Sequence, residues 1–414
     1  MKTFKQLLDF HLETGYFSSR KGSPYQYVLS PYPFCVSQTM KEELSEIGQA
    51  VKDYLQGTIS FMNECQNSNE HLYTNLRSTI LSAMHGLPYM PAERSVPICK
   101  VDLMINREGS FRIAEIDGYN PRGIAFNSFV KDLHRDYTDK HFFLGVETTI
   151  CEEMIKRNSR KLVWLYANHE RFYVTAFLQL QRILHTRGIE MVLHNTDDSW
   201  HPSLLADNSV ISMIPWGTRT PGELLNKTFL IDLYQDEPHR FLYPLAPWLG
   251  TKALMGMVSN AGNHPGLETI GLNHFKDIER IRKYLPKTVL VGKKFAQTSK
   301  EFITSLDRYV LKAHVASGLK GVWFSDDQNS MCSKLDTFLS EKKPNYTVQE
   351  YVDQKTFQIE TFSGPRNSLV TSEWYLRLTA HVNSRGEVVD GCITGRPTPD
   401  VHGAPDCIQA PCVY

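Results

Sequence analysis

The chain has 414 residues, 41% of them hydrophobic and 22% charged, which is enough for two or three domains or one large multi-lobed one. Its 45 basic residues balance 45 acidic ones, so the formal net charge is zero. That balance argues against a basic nucleic-acid binder or an electrostatic membrane-surface protein as the main class. No apolar run approaches the roughly 20 residues that span a bilayer, and eight scattered cysteines without a CxxC pair read as reduced thiols of a cytoplasmic protein.

The opening segment MKTFKQLLDFHLETGYF has acidic residues and no continuous apolar core, so it does not read as a signal peptide. Phe4, Leu7, Leu8 and Leu12 fall on one face of a predicted helix. SQTMKEELSEIGQAVKDYLQGTISFMNEC is a long helical pattern with Ser37 at the N-cap position. ICKVDLMINREGSFRIAEIDGYNP reads as a hairpin, with strands over 98–105 and 111–116 joined by an NREGS turn.

A new unit starts near residue 160. KLVWLYA is a buried strand, RFYVTAFLQLQRILHTRG a helix stopped by Gly188, and IEMVLHN the next strand. This spacing predicts a βαβ unit with a right-handed crossover, and NSVISMIPWG adds a further strand. The last third returns to strand and turn material: KTVLVGKK, DRYVLKAHVASGLKGVWFSDD, NYTVQEYVD, and the hairpin YLRLTAHVNSRGEVVDGCITG. There is no internal repeat and no low-complexity linker.

Three stretches carry chemistry. In YVLKAHVASGLKGVWF, the strand residue Lys312 precedes a small-residue loop containing Ser317, Gly318 and Gly321. Such a hairpin can lay backbone N–H groups over phosphates while the lysine neutralises charge. The same residues also fit a surface hairpin with a salt-bridging lysine. YTVQEYVD fits either a plain central strand or a strand whose main chain meets an adenine edge, with Val348 and Tyr351 making apolar contacts. His314, beside the loop, reads as a solvated turn histidine.

In KVDLMINREGSFRIAEID, Asp102 and Glu115 lie on the two strands of the hairpin, and Asp117 shares Glu115's side. Clustered carboxylates repel unless a cation sits among them. Mg2+ suits such a site, with phosphates and water completing its shell. Lys100 and Arg122 flank the cluster and can hold anionic oxygens. A solvated hairpin with surface salt bridges accounts for Asp102 but poorly for EIDGYNPR.

Together these segments resemble the circularly permuted ATP-grasp ligases, the group of glutathionylspermidine synthetase and eukaryotic glutathione synthetase. That family carries R-x-D, about a dozen residues, then E-x-N on a hairpin. The matching residues here are Lys100, Asp102, Glu115 and Asp117, with Lys for the family's Arg and Asp for its Asn. The carboxylate motif precedes the lysines and the VQEYVD connector, which is the permuted order. The resemblance implies ATP and Mg2+ as cofactors. It makes Asp102, Glu115 and Asp117 the metal ligands, with Asn120 taking over part of the missing amide's role.

By the same resemblance Lys252, in LAPWLGTKALMGMV, is the first phosphate-binding lysine and Lys312 the second, under the loop of Ser317, Gly318 and Gly321. Gln349, Glu350, Tyr351 and Val352 line adenine and ribose. Arg377 and Arg396 are the late arginines for substrate or γ-phosphate, and Arg122 is a further candidate for the transferring phosphoryl. The implied fold is α+β with an α/β lobe, a circularly permuted ATP-grasp. It divides into a helical region plus metal hairpin (1–154), an α/β substrate lobe (155–240) and the lysine, loop and connector part (241–414). The implied reaction is ATP-dependent ligation of a small-molecule carboxylate to an amine, which is an amino acid, polyamine or peptide, with no nucleic-acid or membrane partner. The alternatives are a small-molecule ATP-grasp kinase and a non-catalytic nucleotide-binding interaction protein.

Overall fold

Ser37 caps the long helix as its sequence predicts. Its backbone is extended, and its hydroxyl accepts the Met40 amide at 3.2 Å, giving a partner to one of the N–H groups a helix start leaves open. These features come from a computed structural model. It describes residues 28–414 apart from 69, 82–83, 85–86, 93–94, 120, 122, 135–137, 142, 169–172, 201, 206–208, 213–223, 225, 260–272, 293–295, 306, 316–320, 326–336, 341–345, 364–367 and 402–406. The predicted helix of Phe4, Leu7, Leu8 and Leu12 lies outside the described residues, as do Asn120, Arg122, Ser317 and Gly318.

Two short strands, β1 (Val28–Leu29) and β2 (Phe34–Cys35), precede helix α1 (Gln38–Asn67). Leu44, Ile47, Val51, Tyr54, Phe61, Met62 and Cys65 form its buried stripe, at the recurrence of three and four residues that keeps one helix face apolar. Helix α2 (His71–Leu81) packs beside it. The predicted hairpin follows as β3 (Ile98–Ile105) and β4 (Phe111–Asp117). Asn106 closes its turn: the side-chain oxygen accepts the Ser110 amide at 2.8 Å, and Gly109 adopts φ +88°.

After helices α3 (Ile124–His134) and α4 (Val146–Lys156) comes the α/β unit: β5 (Lys161–Tyr166), α5 (Val174–Thr186), β6 (Glu190–Asn195) and β7 (Val210–Ser212). Its three strands are parallel in the order β6-β5-β7. Leu162, Val163, Trp164 and Leu165 are all buried, the unbroken apolar run of a strand covered on both faces.

Helices α6 (Thr228–Asp236), α7 (Lys252–Ser259) and α8 (Ile278–Arg282) lead into β8 (Thr288–Val291), α9 (Ala296–Thr304), β9 (Tyr309–Ala313), β10 (Val322–Phe324) and β11 (Tyr346–Glu350). The four strands form an antiparallel sheet, β10-β9-β11-β8, with its own core around Val289, Val291, Leu311, Phe338, Leu339 and Val348.

The chain ends in β12 (Thr356–Ser363), β13 (Ser368–Asn383), β14 (Val388–Arg396) and β15 (Ile408–Val413). These join the first hairpin in one sheet of order β1-β15-β14-β13-β3-β4, with β12 also on β13 and β2 on β15. Strand β13 makes this possible. Its 16 residues pair β12 at one end, and β3 and β14 at the other. Helix α7 packs on β8, β11 and β4, so the small antiparallel sheet and the carboxylate hairpin meet at its N-terminus. Among the described residues no helix is long and apolar enough to cross a membrane.

Candidate functional site

The strand register gathers the charges. Asp102 stands opposite Glu115 and Lys100 opposite Asp117, while Thr379 and His381 of β13 face Asp102 and Lys100 from the other side. Directly opposed residues share a face of an antiparallel sheet, so the expected carboxylates do come together. The register then slips: Leu103 faces Ile113, and Ala114 is passed over. This bulge frees the Ala114 carbonyl from the ladder, and the carbonyl accepts a hydrogen bond from the Lys312 ammonium at 3.1 Å.

Asp102 is 3% exposed and fully engaged. Oδ1 accepts the Thr379 hydroxyl at 2.7 Å, and Oδ2 lies 3.2 Å from the Lys100 ammonium and 3.6 Å from the Arg377 guanidinium. Burial pushes this carboxyl up, but Arg377, Lys100 and the Thr379 hydroxyl outweigh it and hold the pKa well below the carboxylate range. Burial likewise opposes the Lys100 ammonium, yet Asp102, Glu115 and Asp117 keep its pKa above the lysine range. Asp102, which the resemblance makes a metal ligand, also anchors Lys100 and Arg377. Neither Thr379 nor the paired role of Lys100 is visible in the sequence.

Glu115 is partly exposed and lies 3.2 Å from the Lys252 ammonium. Burial again works upward, and Lys252 with Lys100 brings its pKa below the ordinary value. Lys252 is the first residue of α7, a helix buried from Lys252 to Val258. Its backbone amide donates to the His314 carbonyl at 3.0 Å, tying α7 to the end of β9. His314 is not the solvated turn histidine of the sequence reading: it is fully buried, and burial takes its pKa down to about 3.

Lys312 reaches the same place from β9. Besides Ala114, its ammonium donates to Oε1 of Gln349 at 2.5 Å. Burial, and then the neighbouring Lys252 charge, lower its pKa to about 8. Two lysines on different elements, close enough to depress one of them, make a place for an anion.

The other expected residues are spread around this centre. Gln349 is buried and points at Lys312. Glu350 accepts the Lys287 amide at 3.3 Å, and the Arg308 guanidinium covers the Tyr351 ring at 3.8 Å. Val352 follows them, half-buried beyond the end of β11. Gly321 closes the predicted loop: its carbonyl accepts the Ala313 amide at 2.7 Å, and its φ is +79°. Arg396 donates to Asp400 at 2.6 Å, on the strand next to that of Arg377. Asp117 accepts the Tyr119 amide at 3.2 Å. Among the described residues, no group of three or more His, Cys, Asp or Glu side chains is arranged to hold a metal ion.

No protein-family model matches the sequence, and no curated protein matches it. Among solved structures, the chain is similar to a glutathione synthetase-like effector from Globodera pallida, solved in its apo form. The TM-score is 0.59 over 99% of this chain and 96% of that one, at 13% sequence identity. A likeness at that identity speaks for the path of the backbone and not for shared chemistry. The chain has a mixed α/β fold that is distantly glutathione synthetase-like.

Proposed function

We propose that the chain is an ATP- and Mg2+-dependent carboxylate–amine ligase with the permuted ATP-grasp arrangement, acting in the cytoplasm. One observation carries this reading: Lys252 and Lys312 converge on the bulge of β4, beside Glu115 and the Asp102–Arg377 pair. A polyphosphate is the anion that two such lysines suit, since its charge relieves their mutual repulsion.

The residues fit a nucleotide-borne Mg2+. A cation carried in by phosphates needs only one or two protein carboxylates, and Glu115 and Asp117 lie on one side of β4 with partial exposure. When bound, the ion supplies charge neutralisation on the phosphates. Lys252 and Lys312 bind the phosphate oxygens, Gly321 keeps the phosphate-side role the resemblance implies, and Glu350, Tyr351 and Val352 border the base. Arg377, tethered by Asp102, holds an anionic oxygen of the substrate or of the transferring phosphoryl group. Asn120, Arg122, Ser317, Gly318 and Arg396 keep the roles the resemblance implies.

The substrate carboxylate attacks the γ-phosphorus and ADP leaves, which gives an acyl phosphate. An amine then attacks the acyl carbon, phosphate leaves with the C–O bond's electrons, and the amine sheds a proton. No side-chain nucleophile is needed, so the protein's part is positioning and charge neutralisation. A second reading, a nucleotide-binding protein without turnover, is favoured by the engagement of both Asp102 oxygens within the protein.

A screen of amino acids and polyamines for ATP-dependent phosphate release, with mass spectrometry of the product, tests both. Release that requires acid and amine, with an amide product, supports the ligase. A phosphorylated product with no amine incorporated makes the protein a kinase, and ATP binding without turnover across the screen overturns the enzymatic reading.

A further inference from the structure

We infer that Gln349 is a positioning residue: it aims the Lys312 ammonium at the phosphate site and keeps that charge uncompensated, and it does not line the adenine pocket. The inference rests on the nucleotide reading above.

Its basis is a hydrogen-bond chain whose direction is fixed. The Thr288 hydroxyl donates to the Pro286 carbonyl at 2.9 Å, which uses its only proton. Thr288 Oγ1 can then only accept, and it takes the Gln349 side-chain N–H at 3.2 Å. With its nitrogen held there, the amide must turn its oxygen the other way, onto the Lys312 ammonium at 2.5 Å. Gln349 is 3% exposed and Thr288 2%, so water does not substitute for either partner. The start of the chain is secured in turn, because the Thr288 amide donates to Ser259 Oγ at 3.0 Å, and that hydroxyl donates to the Pro286 carbonyl at 3.2 Å. One N–H and one lone pair of the Gln349 amide are thereby committed inside the protein, and its burial keeps the remaining ones away from a base.

The choice of a neutral acceptor sets Lys312 apart. Lys252 sits 3.2 Å from the Glu115 carboxylate and Lys100 3.2 Å from Asp102. The two Lys312 contacts described here are both neutral oxygens, from Ala114 and Gln349. Lys252, Glu115 and Asp102 are the charged groups that act on Lys312. A carboxylate at position 349 would hold the ammonium equally well but cancel the charge a phosphate needs. An apolar residue would leave the charge without its aim.

The experiment compares the wild type with Gln349→Met, Gln349→Glu, Thr288→Val and Lys312→Ala. Without any ligand, the rate of Lys312 acylation by an amine-reactive reagent is followed against pH by peptide mass spectrometry. The wild-type midpoint is expected at about 8. Gln349→Glu should move it up by about a unit or more, Gln349→Met should move it down, and Thr288→Val should move it down by less. Affinity for Mg-ATP, measured by calorimetry at pH 7, should fall about tenfold or more in both Gln349 variants and in Lys312→Ala. Unmoved midpoints in both Gln349 variants overturn the inference. So does wild-type ATP affinity in both of them when Lys312→Ala has lost it. If the wild type itself fails to bind ATP, the nucleotide reading falls, and the ligand-free titration still decides the role of Gln349.

Discussion

Asp390 of β14 is a buried carboxyl whose Oδ1 accepts the Gly391 amide at 2.9 Å, while Oδ2 has no hydrogen-bond partner among the described residues. Burial lifts its pKa to about 7, with Lys131 pulling down and Glu147 pushing up. The folded chain therefore binds this proton more tightly than the unfolded one, and the group costs stability progressively as pH rises from the ordinary carboxylate range through 7. Asp390→Asn should raise the melting temperature by a few degrees at pH 8 and much less at pH 4; equal melting at pH 8 would refute this. His314 acts with the opposite sign. Held neutral by burial, it takes up fewer protons when folded, so stability is lost as pH falls below the ordinary histidine value toward 3. At the site, Glu115→Gln should cut ATP-dependent phosphate release by about a hundredfold or more. Release at the full wild-type rate would remove Glu115 from the proposed metal and phosphate machinery. The charged members of this centre were legible in the sequence because Asp102, Glu115 and Lys312 punctuate strand patterns. The Ala114 carbonyl and Thr379 were not. One depends on a bulge, and the other meets Asp102 from 277 residues away.

At the scale of elements, helix α1 docks on the turn between β13 and β14. A Cβ added to Gly48 would lie 2.3 Å from the Gly386 carbonyl oxygen, and Gln49 donates to the Arg385 carbonyl at 3.0 Å beside it. Gly386 has φ +83°, so the turn cannot easily yield. Gly48→Ala should destabilise the protein by about 1–3 kcal/mol, although alanine favours an isolated helix; urea unfolding that shows no loss would refute the tight docking. Helix α1, the β3–β4 hairpin and the βαβ unit were legible because each declares its own period. Strand β15 was not: Pro411 within it argues against a paired strand by ordinary rules. β1 and β2, at two residues each, carry no period to read. β12 does alternate, with Phe357 and Ile359 turned inward and Gln358 and Glu360 outward, so its period is present in the sequence.

For the whole molecule, the three-stranded α/β unit was legible as a contiguous segment, whereas the large sheet was not, because it joins strands from both ends of the chain. Its consequence for ligand binding is measurable. If Mg-ATP bridges α7, β9 and β4, it should stabilise the entire fold, by about 2.7 kcal/mol at a hundred times its dissociation constant. A thermal shift that the wild type shows and Lys312→Ala lacks is the expected result, and equal shifts in both would place the nucleotide elsewhere.

The pairing of β3 with β13 also sets an order of events during synthesis. The carboxylate hairpin leaves the ribosome early, but the outer edge of β3 stays open until residues 377–383 have emerged to cover it. Contacts of such long sequence separation form slowly, and an uncovered strand edge is a template for pairing with another chain. The strand that brings Asp102 to the site is one a nascent chain must shield until late in synthesis, so folding yield should depend on late chain segments more than on the early hairpin itself.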